Sequence, residues 1–340
     1  MRIRMKALNG GSGREREFRR RLLAWYDANA RELPWREDRD PYRVWLSEIM
    51  LQQTRVAAVI EHYREFLRRF PTVEKLAAAR EASVLAAWSG LGYYRRARML
   101  HAAAKVIARE RSGKFPETAK EWQDLPGIGR YTAAAIASIA FEEPVAVVDG
   151  NVERVLQRVS GERLGGEKLW SAAGNLLDGA RAGDFNQAMM ELGATVCTPR
   201  APQCLMCPVV GLCATRGEIG GLAKRVRQKK REIHYGLDLR NGSVFLVQRP
   251  RDASLMAGMW ELPEIPAPTD HAKPVLTVRH SITVTDYTVR VWRTKLSREV
   301  GGDRVALERL LRVALTGLAR KILRKAADVH ENQAVDRVPT

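Results

Sequence analysis

All four cysteines of this 340-residue chain lie in one short segment, CTPRAPQCLMCPVVGLC. The segment runs from Cys197 to Cys213 with the spacing C-x6-C-x2-C-x5-C. Because Pro199, Pro202 and Pro208 interrupt any helix, we expect a loop that folds around a bound group.

Clustered thiols in a reducing compartment usually hold a metal rather than form disulfides. Zinc sites typically use two close cysteine pairs, and here only Cys204 and Cys207 form such a pair. A cubane iron–sulfur cluster takes one cysteine per iron, which suits four thiols on one loop. The spacing therefore favours an iron–sulfur cluster and leaves zinc as the alternative. The bound group could serve redox catalysis, or it could be structural and hold Arg200 of the loop against a phosphate backbone.

The charge of the chain indicates a polyanionic partner. Lys and Arg number 57 against 39 Asp and Glu, a net charge of +18. Such a surface attracts nucleic acid, with a basic protein lacking a specific partner as the alternative. The sequence shows no apolar run long enough to span a membrane and no signal-peptide core. The resulting expectation is a cytoplasmic protein without a membrane partner.

The first two hundred residues predict an all-α region. Apolar residues recur there at helical spacing, and alternating strand patterns are scarce. The helix that follows Pro41 is expected to break near Gln53–Thr54. Thr118 and Glu121 have the spacing of a capping box and predict the start of a short helix.

The stretch LPGIGRYTAAAIASIA predicts two helices joined by a tight turn. Gly127 and Gly129 form the turn, and Arg130 opens the second, Ala-rich helix. In a helix–hairpin–helix, such glycines let backbone N–H groups approach a phosphate without reading the base sequence. An ordinary helical hairpin is the alternative.

Asp149 ends the apolar segment PVAVVD before another helical pattern, and by itself it predicts only an N-cap. The hairpin, the VDGN segment about twenty residues later and the cysteine spacing together resemble the endonuclease III superfamily of DNA glycosylases. Within it, LPWREDRDPYRVWLSEIMLQQTRV and GLGYYRRARMLHAAA resemble the MutY-type adenine DNA glycosylases. The resemblance runs from about residue 14 to 214 and continues more weakly to about 295.

This resemblance implies a mainly α fold. A two-lobed helix–hairpin–helix glycosylase domain with an iron–sulfur cluster loop is followed by a smaller α+β MutT-like domain of the Nudix fold. The implied ranges are a basic disordered arm at 1–13, the glycosylase domain at 14–214, a basic linker at 215–234 and the MutT-like domain at 235–340. The implied cofactor is a [4Fe–4S] cluster on Cys197, Cys204, Cys207 and Cys213.

The implied activity is a step of base excision repair. Such an enzyme flips adenine mispaired with 8-oxoguanine or guanine out of double-stranded DNA and hydrolyses it, leaving an abasic site. A monomer at the nucleoid of a bacterial cell is expected. The rival enzyme is an iron–sulfur glycosylase for G·T mismatches or damaged pyrimidines. A non-catalytic iron–sulfur DNA-binding protein would lack one of the two carboxylates Glu48 and Asp149, and this sequence has both.

Two carboxylates divide the work of cleaving an N-glycosidic bond. The resemblance implies that Glu48 is the general acid that protonates adenine, and its apolar neighbours should raise its pKa toward neutrality. Asp149 would remain ionised and stabilise the cationic sugar. Tyr131 stands where strand-cutting relatives have lysine, and no lysine occurs between Lys120 and Lys168. A monofunctional enzyme is therefore expected, with Tyr131 hydrogen-bonding near Asp149.

Further DNA contacts are implied by the resemblance alone. Gln53 and Thr54 match positions that contact the mispaired bases. Leu91 and Tyr93 match a loop that wedges into the base stack, with ordinary core positions as the alternative. Arg31 and Glu191 match pocket residues that position the adenine and the water. Asn151 is a further expected DNA contact, beside the hairpin glycines Gly127 and Gly129 described above.

The region beyond residue 235 has the alternation of β-strands, and ALERLLRVALTGLARKILRKAA predicts a closing helix. It resembles the MutT-like domain that recognises the oxidised guanine, without the segment that carries the metal-binding glutamates of a Nudix hydrolase. The family's recognition loop usually reads Phe-Ser-His or a close relative. Here Ile282, Thr283 and Val284 stand at those positions, so Thr283 is the expected contact and the histidine is missing.

Overall fold

The computed structural model describes residues 12–217, 229–268, 273–282, 285–296 and 301–335. The chain divides into two compact units. Among the described residues, unit 1 comprises 12–64, 72–77 and 102–217. Unit 2 comprises 65–71, 78–101 and the described residues from 229 onward.

The N-terminal two thirds of the chain are helical, as the sequence predicted. The helices are α1 (Ser12–Asn29), α2 (Pro41–Leu51), α3 (Val56–Arg69), α4 (Val73–Ala78), α5 (Glu81–Trp88), α6 (Arg95–Glu110), α7 (Ala119–Gln123), α8 (Arg130–Phe141), α9 (Gly150–Ser160), α10 (Glu167–Leu176) and α11 (Ala182–Thr195). The unit boundaries fall inside some of these helices, so that α3 and α6 contribute to both units. Among the described residues, no helix is long and apolar enough to cross a bilayer.

Local sequence signals set the helix ends in unit 1. Asp40 caps α2 by accepting a hydrogen bond from the backbone N–H of Arg43 at 2.9 Å, and Pro41 occupies the first turn, where its missing N–H costs nothing. The break predicted near Gln53–Thr54 is confirmed between α2 and α3. The capping box of Thr118 is also confirmed at the start of α7.

Unit 1 packs around α11, which contacts α1, α8 and α9. Two glycines of α11 allow this close approach. A Cβ on Gly183 would lie 2.6 Å from the carbonyl oxygen of Ser138, and one on Gly193 would lie 2.6 Å from the Cβ of Asn151. The buried core here includes Phe18, Leu22, Val155, Leu156, Phe185, Met189 and Leu192.

Unit 2 contains the strands. They are β1 (Lys229–Leu237), β2 (Leu239–Arg240), β3 (Ser243–Gln248), β4 (Trp260–Glu261), β5 (Leu276–Ile282), β6 (Thr285–Arg293) and β7 (Gly302–Ala306). One sheet has the order β1-β6-β5, with β1 parallel and β5 antiparallel to β6. In the other sheet β3 pairs with β2, β4 and β7. Strand β1 begins at Lys229, within the range predicted as linker.

The closing helix predicted for unit 2 is interrupted. A 3₁₀ helix at Leu307–Arg312 precedes α12 (Gly317–Val335). Thr316 separates the two, because its side-chain oxygen accepts the backbone N–H of Ala319 at 3.2 Å and so starts a new helix.

The unit boundaries differ from the predicted domain ranges. Residues 65–71 and 78–101, placed by the sequence in the N-terminal domain, belong to unit 2. Hydrogen bonds connect these residues to the C-terminal part of unit 2, since the buried hydroxyls of Ser89 and Tyr94 both donate to the carbonyl oxygen of Leu315, at 2.7 and 3.2 Å.

Candidate active site

A cavity of about 380 Å³ in unit 1 is the candidate active site. That volume lies in the range of small-molecule pockets. It is lined by segments around α2, α8, α9 and α11. Among its lining residues are eight that the sequence singled out: Arg31, Glu48, Gln53, Thr54, Tyr131, Asp149, Asn151 and Glu191.

Glu48 lies on α2 and is only 6% exposed. Burial raises its pKa to about 7, and the charge of Asp149 adds to this effect. The hydroxyl of Tyr131 donates to Glu48 Oε2 at 2.9 Å. This hydrogen bond and the charge of Arg36 lower the pKa of Glu48, but burial outweighs them. The carboxyl of Glu48 is therefore partly protonated near neutral pH, and the raised pKa agrees with the apolar neighbours in the sequence.

Tyr131 lies in the first turn of α8 and orients Glu48. The sequence predicted a hydrogen bond near Asp149, but the hydroxyl donates to Glu48 and contacts Met190 Sδ at 3.4 Å. Burial raises the pKa of Tyr131 well above its ordinary value, and the charges of Glu48 and Asp149 add to the effect. The phenol therefore stays protonated and serves as a permanent donor.

Asp149 is both an N-cap and a cavity residue. Its Oδ1 accepts the backbone N–H groups of Asn151 at 2.9 Å and Val152 at 2.7 Å, which caps α9. Its Oδ2 accepts the side-chain amide of Asn151 at 2.9 Å. The positive end of the α9 dipole further stabilises a negative charge here. The cap therefore holds a carboxylate in place at the cavity wall.

An ion-pair network forms another wall of the cavity. Arg31 binds Glu191 through two hydrogen bonds, at 2.5 and 2.8 Å, and Arg36 donates to the same carboxylate at 2.9 Å. Burial raises the pKa of Glu191, but the two arginines outweigh it, so the pKa is lowered overall. Arg36 also donates to Gln187 at 3.1 Å.

Sequence reasoning missed Arg36 and Gln187. Arg36 stands directly after Trp35 within LPWRED, at the start of the segment quoted for the resemblance. Only the fold shows that its charge acts on both Glu48 and Glu191. The two carboxylates predicted for one pocket, Glu48 and Glu191, could have prompted a search for a cation that pairs with them, because buried charges are usually paired.

The turn after α2 has an unusual backbone. Gln53 has a φ of 54°, a left-handed conformation that is uncommon for a residue with a side chain and recurs at ligand sites. The neighbouring Gln52 is tied to α8 by a hydrogen bond to the Thr132 hydroxyl at 3.1 Å. This fixes Gln53 and Thr54 at the edge of the cavity.

The helix–hairpin–helix turn has the geometry that the sequence predicted. Gly127 has a φ of 76°, which favours glycine, and Gly129 is the N-cap of α8 without a side-chain cap. Apart from Gly129 itself and its two chain neighbours, no described atom lies within 4 Å of a Cβ placed on this glycine. The first turn of α8 has no side-chain cap, so its backbone N–H groups are not bound by a capping side chain.

Unit 2 contains the two residues of the predicted wedge. Leu91 is buried at 6% exposure, which agrees with the alternative of a core position. Tyr93 is 53% exposed and has a φ of 48°. Thr283 lies outside the described residues.

The cysteine segment is a loop with two short 3₁₀ turns, at Cys204–Met206 and Val210–Leu212. Its thiols are not in disulfides; all are partly buried and line one cavity together with apolar residues of α9 and α11. Arg158 donates to the Cys197 sulfur at 3.3 Å and to the Thr198 carbonyl at 2.7 Å.

The described residues contain no group of three or more His, Cys, Asp or Glu side chains that converges as on a single metal ion. A zinc ion would draw four sulfurs to about 2.3 Å from one point. In a cubane cluster each cysteine binds a different iron, so the sulfurs stand apart around the inorganic core. The four thiols lie around one cavity, so each could bind one iron of such a core.

The chain is similar to proteins of base excision repair. Residues 46–166 match the family described as HhH-GPD superfamily base excision DNA repair protein. The chain is 50% identical to the adenine DNA glycosylase of Rattus norvegicus over 220 residues, 60% of this chain and 42% of that protein. It is 41% identical to that of Mus musculus over 311 residues, 73% of this chain and 60% of that protein.

A solved structure of a thermostable thymine-DNA glycosylase is also similar. It is 31% identical with a TM-score of 0.57, and the match covers 60% of this chain and 96% of that protein. The chain spans about half the length of the first curated relatives it matches.

Proposed function

We propose that this chain, which belongs to the HhH-GPD superfamily of base excision DNA repair proteins, is a DNA glycosylase that removes adenine from mispairs in double-stranded DNA. The observation that carries the proposal is the buried Glu48, whose pKa of about 7 suits a proton donor, in a cavity that it shares with Asp149. Relatives named adenine DNA glycosylase support adenine as the base.

The reaction begins with the adenine flipped from the duplex into the cavity, because a stacked base is out of reach. Glu48 donates its proton to a ring nitrogen of the leaving base while Tyr131 fixes the carboxyl orientation. The C1′–N9 bond breaks, its electron pair leaves with the base, and the sugar becomes an oxocarbenium-like cation.

Asp149 stabilises that cation. Its position is fixed by the α9 cap before substrate arrives, so little reorganisation is needed when positive charge develops. Water then adds to the sugar carbon and gives its proton to the Glu48 carboxylate, which leaves an abasic site and restores the acid. Since Tyr131 takes the place of a lysine and no lysine is among the described residues that line the cavity, no side-chain amine forms an imine there and the strand stays intact.

The second candidate is a glycosylase that acts on thymine in G·T mispairs, which the similarity to a thymine-DNA glycosylase favours. Thymine lacks the basic ring nitrogen of adenine, so a neutral-pH acid such as Glu48 would find no comparable acceptor. Glu48 therefore favours adenine between the two.

Duplexes carrying A·8-oxoguanine, A·G and G·T pairs should separate these candidates. We expect free adenine from the first two, a preference for 8-oxoguanine, and strands that break only after alkali treatment. Chromatography identifies the released base and its amount from each duplex, and a denaturing gel shows whether the strand is broken. Thymine release from G·T, or a borohydride-trapped protein–DNA adduct, would refute the assignment.

We further propose that Cys197, Cys204, Cys207 and Cys213 hold a [4Fe–4S] cluster. Such a cluster would supply a redox-capable core and a template for the loop; in the steps above the chain's own residues do the chemistry. Arg158 would hold the loop by its hydrogen bonds to three consecutive carbonyls, those of Cys197, Thr198 and Pro199.

Anaerobically purified protein should contain about four irons and four sulfides per chain. Cys204→Ser should lose iron and lower the yield of folded protein, because the loop loses its template. Leu205→Ser is the matched control, since this neighbour is fully exposed and is not among the described residues that line the cavity of the thiols. Metal analysis that finds one zinc per chain and no sulfide would contradict the cluster.

A further inference from the structure

An exposed tyrosine stands on a strained loop in unit 2. Residues 89–94, called the tyrosine loop here, have three positive φ angles: 112° at Gly90, 73° at Gly92 and 48° at Tyr93. A left-handed conformation is unfavourable for a tyrosine, so its surroundings must maintain it. Burial of the ring cannot do so, because Tyr93 is 53% exposed.

Arg96 supports the outer part of the tyrosine loop. Its Nη2 donates to the carbonyl oxygens of Leu91 and Gly92, at 3.3 Å each. Its guanidinium carbon lies 5.5 Å from the ring centres of both Tyr93 and Trp88. The exposed ring is thus in cation–π contact on the loop side.

The base of the tyrosine loop is held by residues 314–320, called the anchor segment here. The hydroxyl of Ser89 donates to the carbonyl oxygen of Leu315 at 2.7 Å and accepts from Arg320 Nε at 2.9 Å. The hydroxyl of Tyr94 donates to the same carbonyl at 3.2 Å. Because Ser89 and Tyr94 are 1% and 4% exposed, water cannot readily replace these bonds.

The anchor segment is itself fixed within unit 2. The backbone N–H of Trp260 in β4 donates to the Ala314 carbonyl at 2.8 Å, and that of Thr316 donates to the Trp260 carbonyl at 2.9 Å. Thr316 also caps α12 through Ala319. The tyrosine loop is therefore attached to a strand and a helix terminus.

We propose that the anchor segment positions Tyr93 for insertion into the DNA base stack, with Ser89 and Arg320 as positioning residues. This inference rests on the proposed function. An inserted aromatic ring offsets lost base stacking, and one that is already oriented loses less freedom on binding. The C-terminal part of the chain thereby contributes to opening the duplex, a role separate from reading the base opposite adenine.

Ser89→Ala tests the proposal directly, because it removes the hydroxyl between Arg320 and Leu315. We expect single-turnover adenine release from an A·8-oxoguanine duplex to slow about tenfold, the effect of losing one buried hydrogen bond. Arg320→Met should act alike. Arg324→Met is the matched control, since Arg324 is an exposed arginine one turn further along α12.

A double-mutant cycle with Tyr93→Ala separates positioning from general stabilisation. If Ser89 acts through Tyr93, the double variant should be no slower than Tyr93→Ala alone, because no ring is left to position. A double variant whose rate loss equals the product of the two single rate losses would overturn the proposal. Wild-type rates in both Ser89→Ala and Arg320→Met would also overturn it. If Ser89→Ala does not fold, Arg320→Met enters the cycle in its place.

The wild-type rate distinguishes failure of the positioning role from failure of the proposed function. A wild-type protein that releases no adenine refutes both. An active wild type with multiplied effects in the cycle refutes only the positioning role.

Discussion

Glu48→Gln should bind a mispaired duplex almost as well as the wild type and release adenine at least a hundredfold more slowly. Removing a general acid typically costs 10²–10⁴-fold in rate. Glutamine has nearly the shape of the glutamic acid and can still accept the Tyr131 hydrogen bond, so the cavity should keep its form. Single-turnover rates and duplex Kd values measure the two effects.

Glu61→Gln is the matched control for this variant, because it removes an exposed carboxylate paired with Arg64 outside the cavity. It should excise adenine at the wild-type rate. Substantial adenine release by Glu48→Gln near pH 7 would show that another group protonates the base.

Asp149→Asn should fold normally and lose about 10²–10³-fold in excision rate. Asparagine is as good an N-cap as aspartate, so its carbonyl oxygen can still accept the N–H groups of Asn151 and Val152. The negative charge is lost, and with it the stabilisation of the sugar cation, together with the hydrogen bond that Oδ2 accepts from the Asn151 side chain. Thermal unfolding checks the first half of the prediction and single-turnover kinetics the second.

Glu153→Gln separates catalysis from helix electrostatics, since it removes a charge from the first turn of the same helix. It should leave the rate unchanged while shifting stability by a few tenths of a kcal/mol. A rate loss in Glu153→Gln equal to that in Asp149→Asn would mean that the helix dipole, and not a charge at the sugar, matters.

The sequence predicted those features of the site that depend on local patterns. The capping box of Thr118, the glycine turn before α8 and the apolar surroundings of Glu48 are all properties of a few consecutive residues, and the structure confirms them. The fold then brings Glu48, Tyr131 and Asp149 to one cavity.

Contacts between distant segments were beyond the sequence. Arg36 binds Glu191 across 155 positions, and Ser89 binds Leu315 across 226. Neither pair shares a helix face or a turn, so no periodicity reveals it. The partner of Tyr131 was misplaced for the same reason: Glu48 and Asp149 are both near it, and only coordinates show which accepts its proton.

The contacts of Ser89 also affect how the C-terminal region should be tested. Cutting the chain after residue 222 would remove the Leu315 carbonyl that two buried hydroxyls bind. A truncated protein would therefore have a loosened tyrosine loop in addition to lacking the C-terminal strands and helix. Point variants are the cleaner probe.

The most direct test of the account is the pH dependence of adenine release from an A·8-oxoguanine duplex under single-turnover conditions. Glu48 must be protonated to act, and its pKa is raised from 4.5 to about 7, so the rate should be high below neutrality and fall as the pH rises through about 7. In the wild type, the hydrogen bond from Tyr131 lowers the pKa of Glu48. Tyr131→Phe removes this bond and should therefore move the fall in rate to higher pH. A rate that stays constant from pH 6 to 9, or release of a base other than adenine, would contradict the account.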